Sequence, residues 1–86
     1  MTEAEARTLL RDIIAGIAPE ADFAGLADDE DMREALDLDS IDFTNLIIGL
    51  HARTGLDIPE ADYHRLFTLA GAAGYLSDRA PGPSPA

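Results

Sequence analysis

The chain has 86 residues and no cysteine, and its seventeen acidic residues against six basic ones give a formal net charge of −11. So short a chain buries only about 60% of the surface that its unfolded form exposes, which predicts one small domain with little room for a catalytic cleft. The lack of cysteine excludes a disulfide framework and a thiolate zinc site, and the negative charge argues against nucleic acid and for basic protein partners.

The first predicted element is a helix that begins after Thr2 and ends near residue 17 or 18. Thr2 and Glu5 have the spacing of a capping box, in which each side chain accepts a hydrogen bond at the helix start. Gly16 and Pro19 favour an end at this point. The apolar residues of the segment recur at helical spacing, namely Leu9, Leu10, Ile13, Ile14 and Ile17.

Residues 19–38 are predicted to form a long connection, because their apolar residues follow no clean period. Ten of the seventeen acids lie between Glu20 and Asp42, where Arg33 is the only base. A structureless loop of this length is uncommon in a compact domain. We therefore expect a short helical turn near residues 29–35 and anchoring to the core by the apolar side chains Phe23, Leu26, Met32, Leu36 and Leu38.

A second long helix is predicted from residue 40 to about Thr54, because Gly55 is a natural C-terminal signal. One face of this helix is apolar at positions i, i+3, i+4 and i+7, which are Phe43, Leu46, Ile47 and Leu50. Ile41 and Ile48 lie about 20° apart on nearly the opposite side. They indicate a protein-docking surface or, for Ile41, packing beneath the long connection.

A short helix is predicted over residues 59–66, because Pro59 suits a first helical position. A last helix follows, with Thr68 as its candidate cap and with apolar residues at Leu69, Ala72, Ala73 and Leu76. Gly71 and Gly74 lower its helix propensity but allow close approach of a neighbouring helix.

The predicted fold is all-α: a small four-helix bundle of three longer helices and one short one, with a long first loop. We assign residues 1–79 to this domain. Residues 80–86, with the sequence APGPSPA, are expected to be a mobile tail.

The segment DLDSID, residues 37–42, places Ser40 among three aspartates at the start of the second long helix. Either Asp39 or Ser40 can cap this helix, and Asp42 stands where a capping box has its acid. A helix N-terminus also suits a phosphate ester, because its free N–H groups and its dipole favour anions. The nearest histidine, His51, lies eleven residues along the chain, so no adjacent base activates the serine, and modification of Ser40 is favoured over catalysis by it.

The acidic segment does not have the pattern of a specific metal site. Asp37 and Asp39 match the first ligands of an EF-hand loop, but Ile41 breaks the third position and the central glycine is missing. The two histidines are thirteen residues apart, which is not zinc-site spacing. We expect only weak, nonspecific binding of divalent ions.

The stretch DLDSIDFTNLIIGLHARTGLDIP resembles the signature of acyl carrier proteins, which centres on an Asp-Ser-Leu motif opening a helix and continues to a loop ending in Ile-Pro. The motif here is Asp39-Ser40-Ile41, and the resemblance extends over roughly residues 3–77. Residues of similar type stand at further positions of the pattern: Asp42, Leu46, Ile47, Leu50, Ile58, Pro59, Leu66, Ala72 and Tyr75.

The resemblance implies that a phosphopantetheinyl transferase moves 4′-phosphopantetheine from coenzyme A to Ser40, with Asp39 helping the transferase to recognise the site. The thiol of this arm would carry acyl groups as thioesters, so the chain would be a carrier without catalytic activity of its own. Ile41, Asp42 and Ile48 would contact partners, namely the transferase and the acyl-loading ligases and synthases that present basic surfaces. The interior that shelters an acyl chain would be lined by Phe43, Leu46, Ile47, Leu50, Ile58, Leu66, Ala72 and Tyr75.

Two departures from the pattern of fatty-acid-synthesis carriers indicate a specialised pathway. Asp37 stands where those carriers usually have glycine, and the exposed face of the helix from residue 40 is less acidic than usual, with Asn45, His51 and Arg53. Fatty-acid, polyketide and related pathways stay open, as does an aminoacyl or peptidyl carrier. An unmodified acidic adaptor domain is the alternative from another class.

No run of eighteen apolar residues occurs, so no membrane span is predicted. The acidic N-terminal segment MTEAEARTLL lacks the basic and apolar parts of a signal peptide. We expect a free-standing, cytoplasmic, monomeric protein.

Overall fold

The structure is a computed structural model, and it describes residues 1–80. The described part is helical, with no β-strand and one isolated bridge between Asp31 and Thr68. Its α-helices are α1 (Glu3–Ile17), the one-turn α2 (Met32–Ala35), α3 (Ser40–Thr54) and α4 (Leu69–Arg79), and two 3₁₀ helices span Phe23–Gly25 and Glu60–Leu66. Helix α1 packs against α3 and α4, and the second 3₁₀ helix packs against α4. The predicted all-α bundle is confirmed.

The helix ends follow the predicted signals. Thr2 forms the expected capping box with Glu5, and the Thr68 hydroxyl accepts a hydrogen bond from the Gly71 N–H at 3.0 Å. Gly55 ends α3 in the left-handed region, with φ of 74°, which glycine adopts without steric cost. The element over residues 59–66 differs in type, because it forms a 3₁₀ helix that Pro59 precedes rather than begins.

The hydrophobic core lies between α1, α3 and α4 and extends under the second 3₁₀ helix. Leu10, Leu46, Leu50 and Leu76 are fully buried at its centre. Every residue that the resemblance assigned to the interior is at most 9% exposed, namely Phe43, Leu46, Ile47, Leu50, Ile58, Leu66, Ala72 and Tyr75. The predicted apolar face of α3 is therefore the face that the core covers.

The glycines of the helices have different packing roles. A Cβ on Gly49 would lie 2.8 Å from Ile13 Cγ2, so this glycine permits the close approach of α1 and α3. A Cβ on Gly71 would collide with the backbone carbonyl oxygen of Arg65, which confirms close approach at that position. The same expectation for Gly74 is wrong, because no neighbouring element comes within 4 Å of the position that a Cβ would occupy there.

The long first connection is ordered by the core, as expected. Met32, Leu36 and Leu38 are buried, and the turn expected near residues 29–35 is α2. Backbone hydrogen bonds tie the connection to the start of α4, from Ala70 N–H to Asp28 O at 3.0 Å and from Met32 N–H to the carbonyl of residue 67 at 2.7 Å.

The C-terminal end of the described chain is held in place. Ala80, which the sequence placed in the tail, is buried, and its carbonyl accepts a hydrogen bond from the amino group of Met1 at 3.1 Å. The other residues of the expected tail, 81–86, lie outside the described residues. None of the helices described is long and apolar enough to cross a membrane.

Candidate functional site

Ser40 is the first residue of α3, and its side chain is exposed. The helix cap is made by Asp39 instead. The carboxylate of Asp39 accepts a hydrogen bond from the Asp42 N–H at 2.8 Å, and that of Asp42 accepts one from the Asp39 N–H at 3.3 Å. Of the two capping residues that the sequence allowed, Asp39 is the one used, so the Ser40 hydroxyl is not needed to hold the helix end.

The segment before Ser40 alternates between buried and exposed residues. Leu36 and Leu38 are buried, whereas Asp37 and Asp39 are exposed. Asp37 has φ of 55°, and this left-handed conformation, unusual for a residue with a side chain, lets the backbone turn between α2 and α3. The turn is closed by a hydrogen bond from the Leu38 N–H to the Arg33 carbonyl at 2.8 Å. The two leucines thus anchor the chain and hold Ser40 at the surface.

The start of α3 is suited to a phosphate ester on Ser40. The first main-chain bond of the helix runs from the Phe43 N–H to the Asp39 carbonyl, so the N–H groups of Ser40 and Ile41 precede the helical ladder. These N–H groups and the dipole of a helix of 15 residues favour an anion at this end. The residues present therefore fit an attached phosphopantetheine.

Ile41 and Ile48 are exposed, at 69% and 59% of their surface, and they are the large hydrophobic residues exposed within residues 1–80. The alternative that Ile41 packs beneath the first connection is excluded. Asp42, the third residue expected to contact partners, is half-buried and committed to the capping box. An apolar stripe of α3 is thus open beside Ser40.

An aromatic cluster lies on the other side of α3 from this stripe. The Phe43 ring packs edge-to-face on Tyr63, with 5.8 Å between centroids, and on Phe67, with 5.3 Å. The Arg33 guanidinium covers the Phe67 ring at 3.5 Å from its centroid. Phe43 is buried, whereas Tyr63 and Phe67 are half-buried. Tyr63 and Phe67 were not among the predicted site residues, although their i, i+4 spacing was a signal that both could lie on one face.

A polar cluster joins the second 3₁₀ helix to α4. The Asp62 carboxylate accepts hydrogen bonds from the Tyr75 hydroxyl at 2.8 Å and from Arg79 Nη1 at 3.2 Å, and the Arg79 guanidinium lies 4.5 Å from the Tyr75 ring centroid. Burial raises the pKa of Tyr75, and its hydrogen bond to Asp62 raises it further. The resemblance implied an interior position for Tyr75, but the sequence did not predict this contact of its hydroxyl.

Neither histidine takes part in the Ser40 site. Both are exposed, and His51 Nδ1 lies 3.2 Å from the Leu56 carbonyl oxygen and 3.2 Å from Asp57 Oδ1. Across the described range, no group of three or more histidine, aspartate or glutamate side chains is arranged to hold a metal ion. Weak binding of divalent ions by the acidic segment stays a prediction.

A family model described as "Phosphopantetheine attachment site" matches residues 8–76, which include Ser40 and the whole of α3. The chain belongs to this family. Its members are carriers that hold 4′-phosphopantetheine covalently and interact with the enzymes that modify and load them. No curated protein sequence matches the chain.

Proposed function

We propose that this member of the phosphopantetheine attachment site family is an acyl carrier protein and that its arm is attached to Ser40. The observation that carries the proposal is the exposed Ser40 side chain at the start of α3, where Asp39 makes the cap and leaves the serine hydroxyl available. The family match over residues 8–76 supports it. Ser77, in contrast, is half-buried, and its hydroxyl donates to the Gly74 carbonyl at 3.1 Å.

In the proposed reaction, the Ser40 hydroxyl oxygen attacks the phosphorus next to the pantetheine part of coenzyme A. A new Oγ–P bond forms, the P–O bond of the pyrophosphate breaks, and adenosine 3′,5′-bisphosphate leaves. The serine proton goes to a base of the transferase, because this chain supplies no adjacent base. The attached arm supplies a thiol that holds acyl groups as thioesters. Asp39 contributes by fixing the helix end and by its charge beside the serine.

The interior is proposed to part and shelter the acyl chain. The buried positions are aliphatic or aromatic, as a sheltering interior requires, and they are the set Phe43, Leu46, Ile47, Leu50, Ile58, Leu66, Ala72 and Tyr75. The Gly71 contact brings α4 close to the second 3₁₀ helix, so opening requires this 3₁₀ helix or the side chains beneath it to move.

Ile41 and Ile48 are proposed as the contacts to partner enzymes, with Asp42 at their edge. Their exposure supports this assignment, because burying two isoleucines in an interface recovers apolar surface that the monomer leaves in water. The partners are the phosphopantetheinyl transferase and the ligases and synthases that load and use the arm. The chain itself would act as a monomer in the cytoplasm, without catalysis of its own.

The cargo is proposed to be an acyl intermediate of a specialised fatty-acid, polyketide or related pathway. Beyond Asp42, the exposed residues of α3 include Asn45, His51 and Arg53 rather than a row of acids, which favours a dedicated partner over the general fatty-acid machinery. An aminoacyl or peptidyl cargo is the alternative within the carrier class.

The test is the intact mass of the protein after incubation with coenzyme A, magnesium and a promiscuous phosphopantetheinyl transferase. A gain of one phosphopantetheine is expected for the wild type and for the control Ser77→Ala, and no gain is expected for Ser40→Ala. No gain on the folded wild type with several transferases would refute the proposal and favour the unmodified acidic adaptor.

A further inference from the structure

The aromatic cluster of Phe43, Tyr63 and Phe67 lies where the two chain segments that flank Ser40 meet. Helix α2 precedes Ser40 and contributes Arg33, whereas α3 follows from Ser40 and contributes Phe43. Both segments contact the same ring: the Arg33 guanidinium at 3.5 Å and the Phe43 ring at 5.3 Å from the Phe67 centroid. Phe43 lies three residues, about one helical turn, after Ser40, so the Phe67 ring that packs on it lies beside the first turn of α3.

The backbone of Phe67 is held by hydrogen bonding, whereas its ring is only partly covered by the protein. The Phe67 carbonyl accepts a hydrogen bond from the Met32 N–H at 2.7 Å, and the next residue, Thr68, caps α4. The ring itself is half-buried, whereas Phe43 beneath it is 6% exposed. Rotation about the side-chain bonds of Phe67 would expose Phe43 and the core without breaking a helix.

Arg33 holds the ring in its closed position. Its guanidinium is fixed by a fork of hydrogen bonds to Asp31, from Nε at 3.1 Å and from Nη2 at 2.7 Å. A planar cation fixed in this way over a ring is an attractive contact. The half-buried ring is therefore tied to α2 on its outer side and to Phe43 on its inner side.

We propose that Phe67, held by Arg33, is the specificity-determining gate between the arm on Ser40 and the core. Short acyl groups are carried outside the gate, and an alkyl chain enters the core only when the Phe67 ring turns away. This inference rests on the proposed function and narrows its cargo: the closed gate selects short or polar acyl groups over long alkyl chains.

The test compares acetyl and octanoyl groups, loaded onto Ser40 from acetyl- and octanoyl-coenzyme A by the promiscuous transferase. Intact mass verifies loading, the methyl resonances of Leu46 and Leu66 report entry into the core, and the rate of thioester cleavage by hydroxylamine reports protection. In the wild type, octanoyl should shift the methyl resonances only slightly and be cleaved only slightly more slowly than acetyl, because the closed gate limits its entry into the core. In Phe67→Ala, octanoyl should shift these resonances and be cleaved about tenfold more slowly, because the ring and both of its contacts are gone.

Two further variants sharpen the result. Arg33→Gln removes the cation that covers the Phe67 ring but keeps the ring. Because one cation–π contact is lost, we expect octanoyl to be protected about fivefold more than in the wild type. Phe23→Ala is the matched control, because it removes a half-buried ring from the first 3₁₀ helix, far along the chain from α3, and it should behave as the wild type.

Equal protection of octanoyl in the wild type and in Phe67→Ala would overturn the gate, and so would entry in Phe23→Ala to the same extent as in Phe67→Ala. If Phe67→Ala does not fold, the test rests on Arg33→Gln. Octanoyl protection in Arg33→Gln that is no greater than in the wild type would then overturn the inference. A wild type that gains no mass would refute the proposed function itself, whereas loaded protein without the expected contrast would refute only the gate.

Discussion

The two sides of this small bundle are held together by different kinds of contact. Where α1 meets α3 and α4, the contacts are apolar and fully buried, as at Leu10 and Leu50, and Gly49 lets the helices approach closely. Around the second 3₁₀ helix, Leu66 is also fully buried, but the other contacts include half-buried rings, the Asp62 carboxylate and backbone groups. Buried apolar area supplies most of the free energy of folding, so the α1 side is expected to be the more stable one.

We therefore expect the side around the second 3₁₀ helix to be the more mobile one. Regions with few buried apolar contacts open with a smaller free energy than the global unfolding of the protein. We expect the second 3₁₀ helix and the half-buried Phe67 ring to open in this way before α1 does, although Leu66 anchors this 3₁₀ helix in the core. The packing of α1 against α3 and α4 can keep the protein folded while the second 3₁₀ helix moves.

The largest effect is expected from adding one methyl group at the contact between α4 and the second 3₁₀ helix. In Gly71→Ala the new Cβ would collide with the Arg65 carbonyl, a backbone atom that cannot rotate away, and the free energy of unfolding should fall by about 2 kcal/mol. Amide hydrogen exchange should accelerate most in residues 60–66 and least in α1. The measurements are urea unfolding and exchange followed by NMR.

Gly74→Ala is the matched control in the same helix. Open space surrounds its Cβ position, so the higher helix propensity of alanine should raise the free energy of unfolding by up to about 1 kcal/mol. Equal destabilisation by both substitutions, or exchange that accelerates evenly through α1, would contradict the division of the molecule into two sides.

A smaller effect is expected from Tyr75→Phe, which removes the hydroxyl that donates to Asp62. At neutral pH the loss of this hydrogen bond should cost about 1 kcal/mol. Burial raises the pKa of Tyr75 above its ordinary value of 10.0, so this group contributes stability that is fully present below pH 10 and is lost as the pH rises through the folded-state value. The wild type should therefore lose stability at high pH more steeply than Tyr75→Phe.

Tyr63→Phe is the control for the same chemical change on the same side of the molecule. Its ring contact with Phe43 is kept, at a centroid distance of 5.8 Å in the native protein, so its unfolding profile between pH 7 and pH 11 should follow that of the wild type. If Tyr75→Phe lost stability with pH as steeply as the wild type does, the proposed role of the Tyr75 hydroxyl would be wrong.

The sequence could predict the features that depend on neighbouring residues, but not the contacts between distant segments. Helix ends depend on residues close in sequence, so Thr2, Asp39 and Gly55 were sufficient signals for α1 and α3. The apolar face of α3 followed from its period for the same reason. The contact of Arg33 with Phe67 joins segments that lie far apart in the chain. The sequence alone therefore does not show whether these two side chains contact each other or are exposed to solvent.

The two glycines of α4 show the same limit of prediction from sequence. Gly71 and Gly74 have equivalent settings in the sequence, yet a backbone carbonyl faces only the first of them. Ser40 could be proposed as the attachment site because the pattern that points to it lies in neighbouring residues, the aspartates and the helix that follows. Which side chains pack around the core near Ser40 depends on tertiary contacts, and a single sequence does not reveal these contacts.

A last effect, similar in size to that of Tyr75→Phe, is expected at Asp37, which turns the chain just before Ser40 with φ of 55°. Asp37→Gly and Asp37→Ala remove the same charge, but only glycine adopts this conformation without a clash of its Cβ, so the glycine variant should be more stable than the alanine variant by about 1 kcal/mol. Urea unfolding at neutral pH measures the difference. Asp37→Asn should fall between the two, because asparagine tolerates the left-handed region better than alanine. Equal stability of the glycine and alanine variants would mean that the backbone at residue 37 adjusts without cost. The segment that holds Ser40 at the surface would then be more flexible than the burial of Leu36 and Leu38 indicates.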